Sequence, residues 1–283
     1  MQDNFAVFIL SHGRPNKIYT IEALNKSGYT GAWYIVIDNE DKTADEYIKN
    51  FGDKVLIFDK QKKSKEFDTA DLPSRDRRTV VYARNACFDF AEKLGIDYFL
   101  ELDDDYTVFS YRFEKQHELK QLPLFQSDRL FSAMLKFLNA SNALTVALAQ
   151  GGDFIGGTNG GNFKKKLLRK AMNTFFCKTT NKFDFVGRIN EDVNTYTTCG
   201  MRGDLIFTIT DAMINQKETQ SNSGGMTDIY IDNGTYIKSF YAIMFAPSCV
   251  SLMMMGNKYK RIHHRVNWEH CTPKIINEKY KKQ

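Results

Sequence analysis

Tyr98-Phe99-Leu100-Glu101-Leu102-Asp103-Asp104-Asp105 carries the fold assignment of this chain. Its first residues, Tyr98 to Leu102, form an apolar run of aromatic bulk that reads as a short buried strand. The aspartates that close it repel one another and cost stability at a strand end unless something positive compensates. A hard divalent cation does so, because Mg2+ and Mn2+ prefer oxygen ligands and accept one or two carboxylates plus substrate phosphates. Strand ends of open α/β sheets are also where ligands bind. A solvated acidic turn, with Asp103 capping a helix, is the plainer alternative. The strand, and the chain before it, favour the ligand site.

Upstream, strand-like and helix-like periods alternate. Phe5–Leu10 reads as a buried strand, followed by the loop Ser11-His12-Gly13-Arg14-Pro15 and a helix through Ile18, Ile21 and Leu24. Trp33–Ile37 is a second strand ending in Asp38-Asn39-Glu40-Asp41, and a helix over Thr43–Phe51 leads to a third strand, Val55–Phe58. A longer helix from Arg77 to Leu94 then precedes the aspartate strand. This alternation with short loops predicts an α/β fold, a doubly wound and mostly parallel sheet with helices on both faces. The second half is less regular. It offers a helix over 128–139, a strand over 144–148, and the glycine-dense stretch Gly151–Gly161. The spacing of a phosphate-binding P-loop is absent there, so a mobile loop over the active site is expected, with a plain surface loop as the alternative. With no repeat and no linker-like tract, the 283 residues are expected to form one domain, 1–110 and 111–283 being its two halves.

Composition narrows the class. A formal charge of +5 is compatible with a polyanionic partner without requiring one. The scattered cysteines Cys87, Cys177, Cys199, Cys249 and Cys271 form no CxxC pair, which favours reduced thiols in a cytoplasmic protein over a disulfide framework or a zinc site. No signal pattern follows Met1, and no apolar run reaches the length of about 18 residues that a membrane helix needs.

The run Ala83-Arg84-Asn85-Ala86, its helix, and the strand closed by Asp103-Asp104-Asp105 resemble the nucleotide-sugar-binding half of GT-A glycosyltransferases. Ser11-His12-Gly13-Arg14-Pro15-Asn16, Gly28-Tyr29, Asp103-Asp104-Asp105-Tyr106 and His263-His264-Arg265-Val266-Asn267-Trp268 extend the likeness to the phage and TET-associated glycosyltransferases. Those enzymes are assigned to glycosylation of hydroxymethylated bases in DNA. The resemblance implies a nucleoside-diphosphate sugar donor, a UDP-sugar, held with Mn2+ or Mg2+. It places the nucleotide against Ser11, Arg14, Asp38, Arg84, Asp103 and Asp104, with Asp38 facing the uracil N–H and Arg14 a phosphate. Asp38 as a turn-forming residue and Arg84 as a surface ion pair are the alternatives. Asp103 and Asp105 fall on one side if strand alternation continues past Leu102, one reaching the ribose and Asp105 the metal.

Glu191-Asp192 opens a helical stretch that Gly200 should stop. Acids in a first turn complement the helix dipole without further purpose. The resemblance, however, implies an acidic pair near the acceptor, with Asp192 as general base and inversion at the sugar. A late histidine on the metal is also implied. In an extended segment His263 and His264 point to opposite faces, and His264, sharing a face with Ile262 and Val266, is the inward one. Lys258, Lys260, Arg261 and Arg265, and the cluster Lys164, Lys165, Lys166, Arg169 and Lys170, suit donor diphosphate or DNA phosphate, or are solvated faces. Three other readings stay open: a glycan or lipid-linked acceptor, an inactive fold used to bind nucleic acid, and a nucleotidyltransferase.

Overall fold

Every residue of β1 (Phe5–Leu10) is buried, and alternate side chains enter different cores. Phe5, Val7 and Ile9 pack on one face of the sheet; Ala6, Phe8 and Leu10 pack on the other. A central strand covered on both faces reads in sequence as an unbroken apolar run, which is why this one was legible. The computed structural model describes residues 4–66, 77–159, 168–217, 236–256, 260–273 and 275–281.

β2 (Ala32–Asp38) and β4 (Tyr98–Asp103) flank β1 in parallel, and β3 (Val55–Phe58) pairs with β2. The chain therefore builds outward from β1 on one side and returns to its other side with β4, creating a switch point between β1 and β4. Leu10 pairs with Asp103, so the loop after β1 starts alongside the aspartates. Helices α1 (Tyr19–Lys26) and α2 (Ala44–Phe51) bury Leu24 and Tyr47 in the core that holds Val7 and Ile9. The short α3 (Lys60–Ser64) follows β3, and α4 (Val81–Lys93) covers the opposite face with Val81, Ala86 and Phe88. α5 (Ser127–Ser141) returns to the first face through Phe131 and Leu135.

Past β4 the sheet continues through β8 (Phe175–Lys178), β7 (Thr145–Ala149), β9 (Ile206–Gln216), β5 (Tyr106–Lys115) and β6 (Glu118–Pro123). β8 and β5 run against the others, so seven of the nine strands point one way. This is the expected α/β architecture, with helices on both faces. α6 (Glu191–Met201), α7 (Ile237–Phe245) and the separate ribbon of β10 (Val250–Met255) and β11 (Arg261–Val266) complete the second half.

Several expectations need correction. Strand alternation stops at Asp103: Asp104 and Asp105 form a turn into β5, so a shared side for Asp103 and Asp105 does not follow from β geometry. Gly151–Phe154 and Gly157–Asn159 are 3-10 turns, and Asp153 and Phe154 are buried in them. Those two side chains fix that part of the glycine stretch against the sheet, so it is not an irregular loop throughout; Gly160 and Gly161 lie outside the described residues. α4 starts at Val81, and Arg77 sits before it. α6 ends at Met201, one residue past Gly200, and the glycine has a packing reason: a Cβ there would lie 1.9 Å from the Cys271 carbonyl oxygen. Gly28 also has a packing reason, with φ at +79° and the Phe125 carbonyl 2.5 Å from where a Cβ would stand.

Candidate active site

The C-terminal ends of β1, β2 and β4 open into a cleft of about 660 Å³, lined by Ser11, Arg14, Asp38, Arg84, all three aspartates and the Glu191-Asp192 pair. The predicted catalytic and nucleotide-side residues thus meet in one place. Strands in a sheet lie about 4.8 Å apart, so Asp38 on β2 stands roughly 10 Å from Asp103 on β4, with β1 between them.

At the β2 end, Asp38 is held from several sides. Its Oδ2 lies 2.8 Å from His12 Nδ1 and accepts from Lys60 Nζ at 3.2 Å, while its Oδ1 accepts from the Glu40 N–H. Burial works against the charge of Asp38, yet His12 and Lys60 together hold its carboxyl below the usual range. The turn-forming role and a polar partnership coexist, so Asp38 is a fixed carboxylate at the cleft wall. Gly13, at φ +69°, lets the loop double back so that its N–H meets Asp41 Oδ2 at 2.7 Å.

In the middle, Asp104 faces the β1 loop. Ser11 Oγ donates to its Oδ2 at 2.5 Å and Arg14 donates to its Oδ1 at 2.9 Å. Tyr47 braces this corner: its hydroxyl lies 2.7 Å from Ser11 Oγ and accepts from the Arg14 N–H. Asp105 differs. Among the described residues its carboxylate makes no side-chain hydrogen bond and no ion pair, although it is half-buried. Burial, then repulsion from Asp104, pushes it up to about 6. Burial likewise pushes Asp103 and Asp104 to about 6, against the pull of Arg84 and Arg14 respectively.

Arg84 on α4 joins the two acidic groups. The side chain is 1% exposed; its guanidinium donates to Asp103 Oδ1 at 3.0 Å and to Glu191 Oε1 at 2.9 Å, and passes 3.6 Å from Glu101 Oε2. Burial opposes its charge, but Asp103, Glu191 and Glu101 outweigh that and hold the guanidinium charged. Arg84 is therefore no surface ion pair. Glu101, fully buried behind it on β4, is pushed up to about 8 by burial. With Glu191 tied to Arg84, Asp192 is the free member of its pair. Its Oδ1 accepts from the Val193 N–H at 2.8 Å, and burial together with Glu191 raises its pKa.

Among the described residues neither histidine has a hydrogen bond or ion pair with the aspartates. His263 Nδ1 lies 2.7 Å from the His264 carbonyl, and His264 Nδ1 lies 3.5 Å from Asn190 Nδ2. His264 is partly buried as expected, but Ile262, on the same side of β11, is 40% exposed, so that face is inward only in part. Burial, then His263 and Lys238, lower His264 to about 4, leaving a neutral imidazole. Among the described residues no three His, Cys, Asp or Glu side chains converge as a cage. The half-buried Asp105 beside Asp103 fits an ion held by one or two carboxylates that takes its other ligands from a diphosphate and water.

Sequence reasoning passed over His12, Lys60, Tyr47 and Lys238. All but Tyr47 line the cleft, and Tyr47 hydrogen-bonds to residues that do. His12 was the findable one, since it sits in the quoted loop directly after β1. Of the basic clusters, Arg169 is committed to Asp153 at 3.3 Å, both buried, while Lys164, Lys165, Lys166 and Lys258 lie outside the described residues.

Carboxylates gathered at the switch point of an open α/β sheet mark this chain as an α/β protein with a ligand cleft at its strand ends. The chain belongs to the TET-associated glycosyltransferase family, whose model matches residues 5–225. It is a glycosyltransferase. No curated protein matches the sequence. Among solved structures it is similar to glucosyl-3-phosphoglycerate synthase from Mycobacterium tuberculosis, crystallised with Mn2+ and UDP-glucose, at 9% identity and a TM-score of 0.48 over 94% of this chain and 90% of that one. It is also similar to S. aureus TarS 1-349 in complex with UDP, at 10% identity and a TM-score of 0.47, covering 86% of this chain and 65% of that one. No helix among the described residues is long and apolar enough to cross a membrane.

Proposed function

We propose that this enzyme moves a sugar from a UDP-sugar onto the hydroxymethyl group of a modified pyrimidine in DNA, with inversion at the sugar carbon. The observation that supports it most directly is Arg84: one buried guanidinium ties Asp103, on the donor side, to Glu191, next to the free Asp192. Donor and acceptor groups are thereby held in a single rigid frame, the kind of positioning that group transfer requires. Asp38, fixed by His12 and Lys60, faces the nucleoside end, and Arg14 stands by the phosphates.

Asp105, with Asp103 beside it, would hold a Mn2+ or Mg2+ ion, which when bound supplies positive charge for the leaving diphosphate. The rest falls to the chain. Asp192 takes the proton of the acceptor hydroxyl as that oxygen forms its bond to the sugar, on the face opposite the departing diphosphate. Its raised pKa suits a base working near neutrality, and the Val193 N–H keeps one oxygen fixed while the other has no hydrogen-bond donor among the described residues. The test is incubation of hydroxymethylated DNA with a panel of UDP-sugars and Mn2+, followed by mass spectrometry of the nucleosides. A mass gain equal to one sugar residue on the modified base is expected. UDP-sugar hydrolysis without any gain on DNA would sink the DNA acceptor and leave the donor half of the proposal standing.

A further inference from the structure

The β10–β11 ribbon stands apart from the nine-stranded sheet, and its strands pair with each other. Its register sets Ser251 opposite Arg265, Met253 opposite His263 and Met255 opposite Arg261, so one face carries cations interleaved with thioethers. Arg261 and Arg265 are exposed, and Met253 and Met255 are 39% and 37% exposed. No Asp or Glu occurs between Asp232 and Glu269, a stretch that contains Lys238, Lys258, Lys260, Arg261 and Arg265. Large exposed apolar side chains ordinarily mark a contact surface. A purely apolar partner would leave the arginines without counter-charge. The surface instead complements a polyanion that also presents apolar edges.

The ribbon adjoins the cleft. From its other face His264 meets Asn190, and Asn190 Nδ2 donates to the Lys238 carbonyl at 2.6 Å; Asn190 and Lys238 both line the cleft with Asp192. Whatever the ribbon grips is therefore presented beside the candidate base. A two-stranded ribbon fits the DNA major groove, about 12 Å wide, and the 5-substituent of a pyrimidine projects into that groove. Methionine is soft enough to follow irregular base edges.

We propose that the β10–β11 ribbon is the DNA-docking element, entering the major groove with Arg261 and Arg265 on phosphates and Met253 and Met255 against base edges. This rests on the DNA-acceptor reading above. The test compares the parent protein with Arg261→Ala/Arg265→Ala and with Met253→Ser/Met255→Ser. It uses fluorescence anisotropy on a hydroxymethylated duplex across salt concentrations, mass spectrometry of that duplex after incubation with UDP-sugars, calorimetry with UDP and Mn2+, and co-sedimentation with anionic phospholipid vesicles. Losing two phosphate contacts should weaken binding about tenfold or more and flatten the log–log salt slope by roughly 0.9 per contact. The methionine pair should weaken binding with the slope kept, and both variants should retain UDP affinity. If the parent binds and modifies DNA and the arginine variant does so with the same slope, the inference falls while the DNA acceptor stands. If the parent modifies no hydroxymethylated DNA, both fall. Loss of UDP affinity in the variants would assign these residues to the donor. Loss of affinity for anionic phospholipid vesicles alone would assign the ribbon to a membrane. Either result overturns the proposal.

Discussion

Two adjacent carboxylates at the start of α6 have different partners, and that difference separates their roles. Glu191 is neutralised by Arg84, whereas among the described residues Asp192 has the Val193 N–H on one oxygen and no ion pair. Asp192→Asn keeps the shape and removes the basicity, so turnover should fall by about 10²-fold or more while calorimetric UDP affinity holds. Near-normal turnover would return Asp192 to a helix-terminus acid. Asp105 makes a second prediction at this scale. Asp105→Ala should abolish the dependence of UDP affinity on Mn2+ without lowering the thermal midpoint, since a carboxylate repelled by Asp104 is removed. Equal affinities with and without chelator in the parent protein would sink the metal assignment.

Among elements, α6 shows where propensity and packing oppose each other. Alanine is favoured over glycine in a helix interior by about 1 kcal/mol, so propensity alone would make Gly200→Ala stabilising. The Cys271 carbonyl, 1.9 Å from the new Cβ, reverses the sign, and a backbone oxygen cannot swing aside like a side chain. Overpacking of this sort costs about 1–3 kcal/mol, to be read as a lowered thermal midpoint; an unchanged or raised one would mean the segment at Cys271 yields. The same contrast governs what sequence could reveal. β1, β2 and β4 were legible because both their faces, or most of them, are buried. β3 was legible because Val55–Phe58 is an unbroken apolar run, although only Phe58 is buried, and α2 because its apolar positions recur at helical spacing. The β5–β6 hairpin was missed because residues such as Glu114, Lys115, Lys120 and Gln121 face solvent and dilute the apolar pattern. β9 was missed because it bends between two partners, β7 and β5, with a register shift. In the site, the aspartates and the acidic pair were readable as charge where a buried strand or helix begins or ends. The Arg84 link between them was not, because its partners, Glu101 aside, lie 19 and 107 residues away in sequence.

For the whole molecule, gathering carboxylates in one place sets how stability depends on pH. Burial first of all lifts Asp103, Asp104 and Asp105 to about 6, and Glu101 to about 8. In each case the folded state holds its proton more tightly than the unfolded chain. As pH rises past the ordinary carboxylate range the unfolded chain releases these protons first, so folding stability is greatest on the acid side and declines until the folded values are passed. Asp38, held low despite burial by His12 with Lys60, and the exposed Asp89, held low by Lys63 with Lys182, contribute with the opposite sign and only where pH falls through their own range. Without ligand, the thermal midpoint should therefore fall between about pH 5 and pH 8. On the proposed assignment a divalent ion with UDP would bind the ionised aspartates of the folded state alone and add stability by mass action, more strongly as they deprotonate. Melting curves in chelator and in Mn2+ with UDP should consequently diverge as pH rises, with the decline reduced in the second series. Parallel curves would mean that the ion does not sit on these aspartates. A flat curve in chelator would mean that their crowding is relieved within the protein itself.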